Sequence, residues 1–404
     1  MMKYNRQLLN SLNSTGALGR ARLVLGARQT GKSTVFSMLK NKGDLLIDLQ
    51  DRTERLRFAN DPALLTRTVA ALKEEKPHIL IDEIQRVPEL LDEIQFLLDK
   101  NPGKFTFTLT GSSARKLKRG AANLLPGRAR LYHIFPVTLP EQERRSTEPQ
   151  KILPMPAPAK PLFPARDLED MLLLGCLPGI WGGMGKEDLL SYAALYIEEE
   201  IQREALVRKI GPFGRFLKIA AVESGKNVNL TKVSQETGVA LSTLKDFYPV
   251  LEDTFVGFSV NSYSSSARTR LIKAPKFYFF DTGVRNALAG LPLERGMLAT
   301  EGGHLFEHWV ACELYWRASY LGRGYGLYYW RTVSGAEVDF VLETPHEIIP
   351  IEVKYSGSVS IRDASGIEKF INLHPKAKRG VVIARIKREE KLTARVSAIP
   401  WHEI

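Results

Sequence analysis

Cysteine is scarce in this chain: Cys176 and Cys312 are the two thiols in 404 residues. That excludes a disulfide-stapled scaffold. With no Cys-x-x-Cys spacing it also excludes a thiolate zinc knuckle or a dithiol redox motif, and it suits a reducing compartment. Long apolar runs are missing too, since charged residues interrupt every candidate before it reaches the ~20 residues that cross a bilayer. The first residues are polar and hold no apolar h-region, so no signal peptide or membrane partner is expected, and the cytoplasm is the expected location. Acidic residues are outnumbered, 45 Asp and Glu against 57 Lys and Arg, which leaves a formal net charge of +12. Such a balance points to a polyanionic partner, nucleic acid before an acidic surface. Apolar residues make up 44% of the chain, enough for sizeable cores, and the length suggests two or three domains.

One short run carries most chemical information. Gly26-Ala27-Arg28-Gln29-Thr30-Gly31-Lys32-Ser33-Thr34 follows the apolar stretch Arg22–Leu25 and fits G-x-x-x-x-G-K-[ST]. Glycines at both ends let the backbone curl so that successive N–H groups face phosphate oxygens. Lys32 is then placed for the β- and γ-phosphates, Ser33 for a Mg²⁺ ion, and the helix from Lys32 to about Leu39 turns its positive end to the same anion. About fifty residues on, His78-Ile-Leu-Ile-Asp82-Glu83 reads as an apolar strand ending in two carboxylates. Asp82 would hold Mg²⁺ through water and Glu83 would orient the attacking water. Together they predict a P-loop nucleoside triphosphatase that uses ATP and Mg²⁺.

Residues 1–145 alternate strand-like and helix-like segments, the βαβ rhythm of a parallel sheet covered by helices. Residues 146–165 are rich in proline and read either as an exposed, semi-rigid linker or as an ordered insertion against the ATPase core. Residues 166–262 are mostly helical, including Leu189–Val207. Within them, Asn229–Leu251 reads as a short helix, a turn at Gly238 and a second helix from Ser242, a helix-turn-helix, with Phe255–Val260 starting a wing hairpin. Pro249 is expected to limit the second helix. Residues 263–404 return to α/β, with strands expected at Lys276–Phe280, Leu327–Trp330, Glu337–Leu342, Ile348–Lys354 and Gly380–Ala384.

This last region holds a second constellation. Glu307 lies in a helix-like stretch, Asp339 in an apolar strand, and Glu352 and Lys354 two apart on another. Spacing of two on a strand puts Glu352 and Lys354 on one face, with Ile351 and Val353 on the other. Asp339 and Glu352 could share a Mg²⁺ or Mn²⁺ ion while Lys354 orients water or meets developing phosphate charge, the needs of metal-assisted phosphodiester hydrolysis. The alternative is a solvated strand face, although charges are uncommon inside such apolar strands.

With both constellations in hand, the chain resembles a prokaryotic AAA+ ATPase family whose C-terminal half is a domain of unknown function. The resemblance is carried by Gly26–Ser33, Ile79–Val87, Thr108–Ser113, Pro126-Gly127-Arg128, Phe277–Gly283, Val338–Val341 and Ile351–Lys354. The last two are similar to the PD-(D/E)XK restriction-endonuclease-like fold, including resolvases of branched DNA, and the middle region is similar to winged helix-turn-helix domains. The resemblance implies that Ser112 or Thr110 is a polar sensor of the γ-phosphate. It also implies that Arg128 reaches a nucleotide, in a neighbouring subunit of a homo-oligomer; the alternative for Arg128 is a solvated basic turn. The expected architecture is therefore α/β: a P-loop, AAA+-like parallel sheet, a helical winged helix-turn-helix middle, and a restriction-endonuclease-like C-terminal domain.

The leading functional expectation is an ATP-driven protein acting on duplex or branched DNA. Basic residues at Arg203, Arg208, Lys209, Arg215 and Lys218, and at Arg268, Arg270, Lys273 and Lys276, agree with it. The alternative is an ATP-dependent switch without nuclease activity that binds a protein partner. A small-molecule kinase finds no second substrate signature.

Overall fold

The computed structural model describes residues 4–14, 20–113, 127–195, 210–264 and 273–404. Arg203, Arg208, Lys209, Arg268, Arg270, Pro126 and the stretch 196–207 of the expected Leu189–Val207 helix lie outside the described residues. The chain forms two compact units. One comprises residues 1–136 with 158–161 and 253–255; the other comprises 137–157, 162–252 and 256–404.

The first unit is built on a five-stranded sheet: β1 (Ala21–Leu25), β2 (Leu45–Asp48), β3 (His78–Asp82), β4 (Thr106–Gly111) and β5 (Ala129–His133), in the order β2-β3-β4-β1-β5. Every pairing is parallel, as the βαβ rhythm predicts. Strands buried on both faces need continuous apolar runs, and Leu23-Val24-Leu25 and Ile79-Leu80-Ile81, all buried, supply them. The helix Leu90–Lys100 closes one face with Leu90, Leu91, Ile94, Leu97 and Leu98, all buried. These are the residues the helical spacing singles out. The register sets Leu25 beside Gly111 and Ile81 beside Leu109, so β1, β3 and β4 end along one sheet edge.

The second unit carries an eight-stranded mixed sheet in the order β12-β13-β11-β10-β9-β8-β6-β7. Its strands are β6 (Gly257–Ser262), β7 (Lys276–Phe279), β8 (Gly326–Arg331), β9 (Glu337–Glu343), β10 (Ile348–Lys354), β11 (Gly380–Ala384), β12 (Glu390–Lys391) and β13 (Val396–Pro400). A 24-residue helix, Leu298–Leu321, is apolar nearly all round and is buried through most of its length, including Phe306, Trp309, Leu314 and Trp316.

The helices Leu230–Thr237 and Leu241–Asp253 meet at Gly238, whose left-handed φ of 69° ends the first helix. Asn229 caps that helix by accepting from the Lys232 N–H at 3.0 Å. Pro249 does not shorten the second helix as expected. It sits on the exposed side, while buried Phe247, Val250 and Leu251 hold the turn beyond it in place. The hairpin that follows joins the C-terminal sheet directly, since β6 pairs in parallel with β8. The middle and C-terminal regions therefore share one compact unit.

Part of the proline-rich segment is packed within that unit. Ile152 and Leu153 are buried, and the Lys151 N–H donates to the Glu403 carbonyl at 2.7 Å. Arg317, fully buried, donates to the Leu153 carbonyl, to Gln150 Oε1 at 3.2 Å and to the Ile404 carbonyl at 2.9 Å. The stretch Phe277–Gly283 ends in a structural tie. Asp281 caps the helix Thr282–Ala289 and also accepts from the Cys176 N–H at 2.7 Å. Gly175, at φ 74°, leaves room for that carboxylate, since a Cβ there would stand 2.0 Å from Asp281 Oδ1.

Candidate functional sites

The first site lies where β1, β3 and β4 end. Gly26 is confined by its neighbours: a Cβ would stand 2.4 Å from the Ile134 carbonyl oxygen. Gly31, at φ 96°, opens the helix Lys32–Leu39 from a left-handed conformation suited to glycine. The loop between them folds over its own lysine. Lys32 is 6% exposed, and its ammonium donates to the carbonyls of Gly26 at 2.9 Å and Ala27 at 2.8 Å. Thr30 Oγ1 donates to the Ala27 carbonyl at 2.8 Å and closes the turn.

Opposite the loop, Ser33 Oγ donates to Asp82 Oδ2 at 3.1 Å, so two hard oxygen donors meet at its mouth. That pair suits Mg²⁺, which takes oxygen ligands and keeps several waters. Gln50 also donates to Asp82 Oδ2, at 3.3 Å, and Thr110 donates to Oδ1. Glu83 follows in a left-handed conformation, φ 57° and ψ 47°, which costs a non-glycine residue about 1–3 kcal/mol. Three side chains hold it there: its N–H donates to Thr110 Oγ1 at 3.1 Å, and Gln85 and Ser112 donate to its Oε2. Thr110, Ser112 and Gln85 thus form one buried polar network behind the two carboxylates.

Arg128 stands at the other end of the sheet. Its carbonyl accepts from the Ala21 N–H at 2.8 Å, level with the start of β1, and its side chain pairs with Asp99. Five residues of strand, about 16 Å, separate that level from the P-loop. Arg128 does not join this chain's own loop. Sequence reasoning missed Arg6, which is 2% exposed and donates to the Thr30 carbonyl at 2.6 Å and the Phe135 carbonyl at 2.6 Å. No local pattern marks it, because its partners are backbone atoms far along the chain.

The second site gathers Glu307, Asp339, Glu352 and Lys354 in the C-terminal unit. The β9–β10 ladder pairs Phe340 with Ile351, and Asp339 and Glu352 follow directly beyond it. Where the ladder opens, the Val353 N–H donates to Asp339 Oδ2 at 2.8 Å. Ile351 and Val353 are buried while Glu352 and Lys354 share the other face, as their spacing predicts, and Lys354 Nζ meets Glu352 Oε1 at 2.8 Å. Glu307 reaches the cluster from the long helix. Burial, then the charges of Glu307 and Glu352, hold the Asp339 carboxyl well above the usual carboxylate range. Burial also raises Glu352, although Lys354 opposes it.

Two residues here went unread as site residues. Lys276 and Tyr278, two apart on β7, both donate to Glu307 Oε1, at 3.0 and 2.9 Å. A cleft of about 260 Å³ opens beside them, lined by Lys226, Lys276, His304, Glu307, Arg331 and Asp339 among others. Among the described residues, no three His, Cys, Asp or Glu side chains stand together as a ready metal cage. Donors of the protein already engage Glu307, Asp339 and Glu352. The donor chemistry nevertheless suits a hard divalent ion, because Asp339 and Glu352 adjoin on neighbouring strands and raise each other's need for a cation.

The loop, the acidic strand end and the parallel sheet define a AAA-type nucleotide-hydrolysing domain, and the chain carries further domains after it. An AAA domain family model matches residues 19–142. A domain of unknown function (DUF8612) matches 165–295, across the β6–β7 hairpin, and another (DUF4143) matches 302–404. Uncharacterized proteins of Mycobacterium bovis and Mycobacterium tuberculosis are each 25% identical to this chain over 348 residues, 85% of this chain and 73% of theirs. A solved structure of a Vibrio cholerae protein aligns over 95% of this chain and 94% of its own, at 13% identity and a TM-score of 0.19, a likeness that carries no argument. An AAA domain supports ATP binding and hydrolysis with Mg²⁺. Among the described residues, no helix is long and apolar enough to cross a membrane.

Proposed function

We propose that this protein hydrolyses ATP at its P-loop and acts on DNA through its second unit, where a metal-dependent site cleaves phosphodiesters. The observation that carries the reading is the gathering of Glu307, Asp339, Glu352 and Lys354 from a helix and two strands into one half-buried cluster beside a cleft with Lys226, Lys276 and Arg331. Buried acids of this kind are costly unless they bind something.

At the P-loop, Lys32 exchanges its carbonyl partners for the β- and γ-phosphates, and the N–H groups of residues 27–34 cradle them. Ser33 and Asp82 would hold Mg²⁺, which neutralises phosphate charge when bound. Glu83, fixed by Gln85, Ser112 and Thr110, orients the attacking water, and Ser112 senses the γ-phosphate. Arg128 would serve a neighbouring subunit's nucleotide. In the second unit, Asp339 and Glu352 would hold Mg²⁺ or Mn²⁺, an ion that polarises the scissile phosphate when bound. Lys354 orients the attacking water there. The helix pair 230–253 with the β6–β7 hairpin is read as a winged helix that contacts phosphates rather than base edges, because Lys245 is the basic residue within its second helix.

The test is DNA binding across salt concentrations, with ATP turnover measured with and without DNA. The reading expects affinity to fall steeply as salt rises and turnover to respond to DNA; no binding at low salt removes it. A second reading, a switch that binds a protein partner and does not cleave, draws on the engagement of Glu307 by Lys276 and of Glu352 by Lys354.

A further inference from the structure

Lys276 is unusual for its surroundings. Its side chain is 17% exposed, yet its ammonium is engaged on several sides. It meets Glu307 Oε1 at 3.0 Å and lies 5.8 Å over the Tyr329 ring. Asn227 donates to Tyr329 Oη at 2.8 Å, and Tyr329 donates to the Ala274 carbonyl at 2.7 Å, so that ring is itself fixed. Tyr278, fully buried, holds the same Glu307 oxygen from two residues along β7. Burial disfavours the charged lysine, but Glu307 and Asp339 outweigh it and its proton is held more tightly than usual. The cleft also contains His304, one turn before Glu307, whose buried Nε2 has no hydrogen-bond partner.

Holding a divalent ion requires the protonation-prone Asp339 to ionise. With all three carboxylates ionised, Glu307, Asp339 and Glu352 face Lys276 and Lys354, which leaves one net negative charge. Glu337 is offset by Arg331 at 3.7 Å. One divalent ion turns the cluster to one net positive charge, which a single phosphodiester cancels. A second divalent ion would overshoot, and its natural seat, between Glu307 and Asp339, is where Lys276 directs its charge.

We propose that Lys276 is a resident second cation of this cluster, so that the site takes up one divalent ion, at Asp339 and Glu352, instead of two. The inference rests on the metal-dependent reading of the site. It gives Lys276 a positioning role: it competes with metal for Glu307 and holds that carboxylate out of the coordination sphere.

The experiment is Mn²⁺ titration of the nucleotide-free full chain, with free Mn²⁺ read by electron paramagnetic resonance and the Asp339→Asn variant subtracting other sites. Wild type is expected to bind one ion that Asp339→Asn loses. Lys276→Met should bind a second ion, or bind the first about tenfold more tightly or better. Adding Glu307→Gln to it should abolish the gain, and Lys276→Arg should behave as wild type. If Lys276→Met does not fold, Glu307→Gln alone decides: retention of the wild-type ion supports the inference and its loss overturns it. A folded Lys276→Met that binds Mn²⁺ as wild type does, or a wild type that binds two ions, also overturns it. If the predicted gain appears while the Mn²⁺-loaded chain cleaves no DNA, the cleavage reading falls and the role of Lys276 stands.

Discussion

In the first unit, the groups that would meet a triphosphate come from three loops at one sheet edge, and much of the contact surface is backbone. In the second, charged side chains from β7, β9, β10 and the long helix meet across separations such as the 31 residues between Lys276 and Glu307. A site made of backbone can be written in a contiguous stretch, because glycines at set positions decide the loop's shape. A site made of distant side chains depends on pairings that no window of sequence displays. The two also differ in what neutralises their charge. Asp82 is held by the neutral donors Ser33, Gln50 and Thr110, whereas Glu307 and Glu352 are held by lysines. The first arrangement leaves room for an external cation; the second supplies cations of its own.

Substitutions separate the two sites, and the largest effects are expected at the P-loop. Glu83→Gln should bind ATP while turnover falls about 10²–10⁴-fold, the scale of a lost general base, as read in a phosphate-release assay. Unchanged turnover would move the water-orienting role elsewhere. Lys32→Ala should weaken ATP binding about 100-fold by calorimetry, because its charge-assisted bonds to phosphate are lost. Arg6→Ala sharpens the claim that the loop is held from behind. It leaves buried carbonyls of Thr30 and Phe135 without their charged donor, so stability should fall by about 3 kcal/mol, with weaker ATP binding, in denaturant titration and calorimetry.

The smallest effect is a pH dependence confined to the second unit. Glu313 is fully buried; it accepts from the Leu139 N–H at 2.9 Å and stands 3.9 Å from Arg317. Burial, only partly offset by Arg317, pushes its carboxyl up to about 7, and burial pushes Asp281 up to about 6. The folded state thus keeps protons that the unfolded chain releases near pH 4. Stability contributed by these groups is intact below about pH 4 and falls as pH rises toward 7. Glu313→Gln should flatten the fall in unfolding temperature between pH 5 and 7; an unchanged slope would remove Glu313 as its source.

Much of this was legible. The five parallel strands of the first unit, the two-carboxylate strand end and the face-sharing of Glu352 and Lys354 all follow from periodicity and spacing. Pro249 misled because a proline on an exposed helical face costs less than packing at Phe247, Val250 and Leu251 returns. The hairpin's place in the C-terminal sheet was hidden, since strand partners are chosen by the whole fold. Phe277–Gly283 was visible as a motif, but its work in capping a helix and binding the Cys176 N–H appears only with the partner segment in place. Lys276 sat in view among basic residues read as agreeing with a DNA partner; its burial against Glu307 changes its meaning.

The proposed function makes the second unit a working metal-dependent site and not a charged platform. The direct measurement is cleavage of labelled linear duplex, single-stranded and four-way-junction DNA with Mg²⁺ or Mn²⁺, with and without ATP, by wild type, Lys32→Ala and Asp339→Ala. Metal-dependent cleavage is expected, abolished in Asp339→Ala and retained in Lys32→Ala without its response to ATP. DNA binding coupled to ATP hydrolysis with no cleavage of any substrate, or cleavage that survives Asp339→Ala, would contradict it.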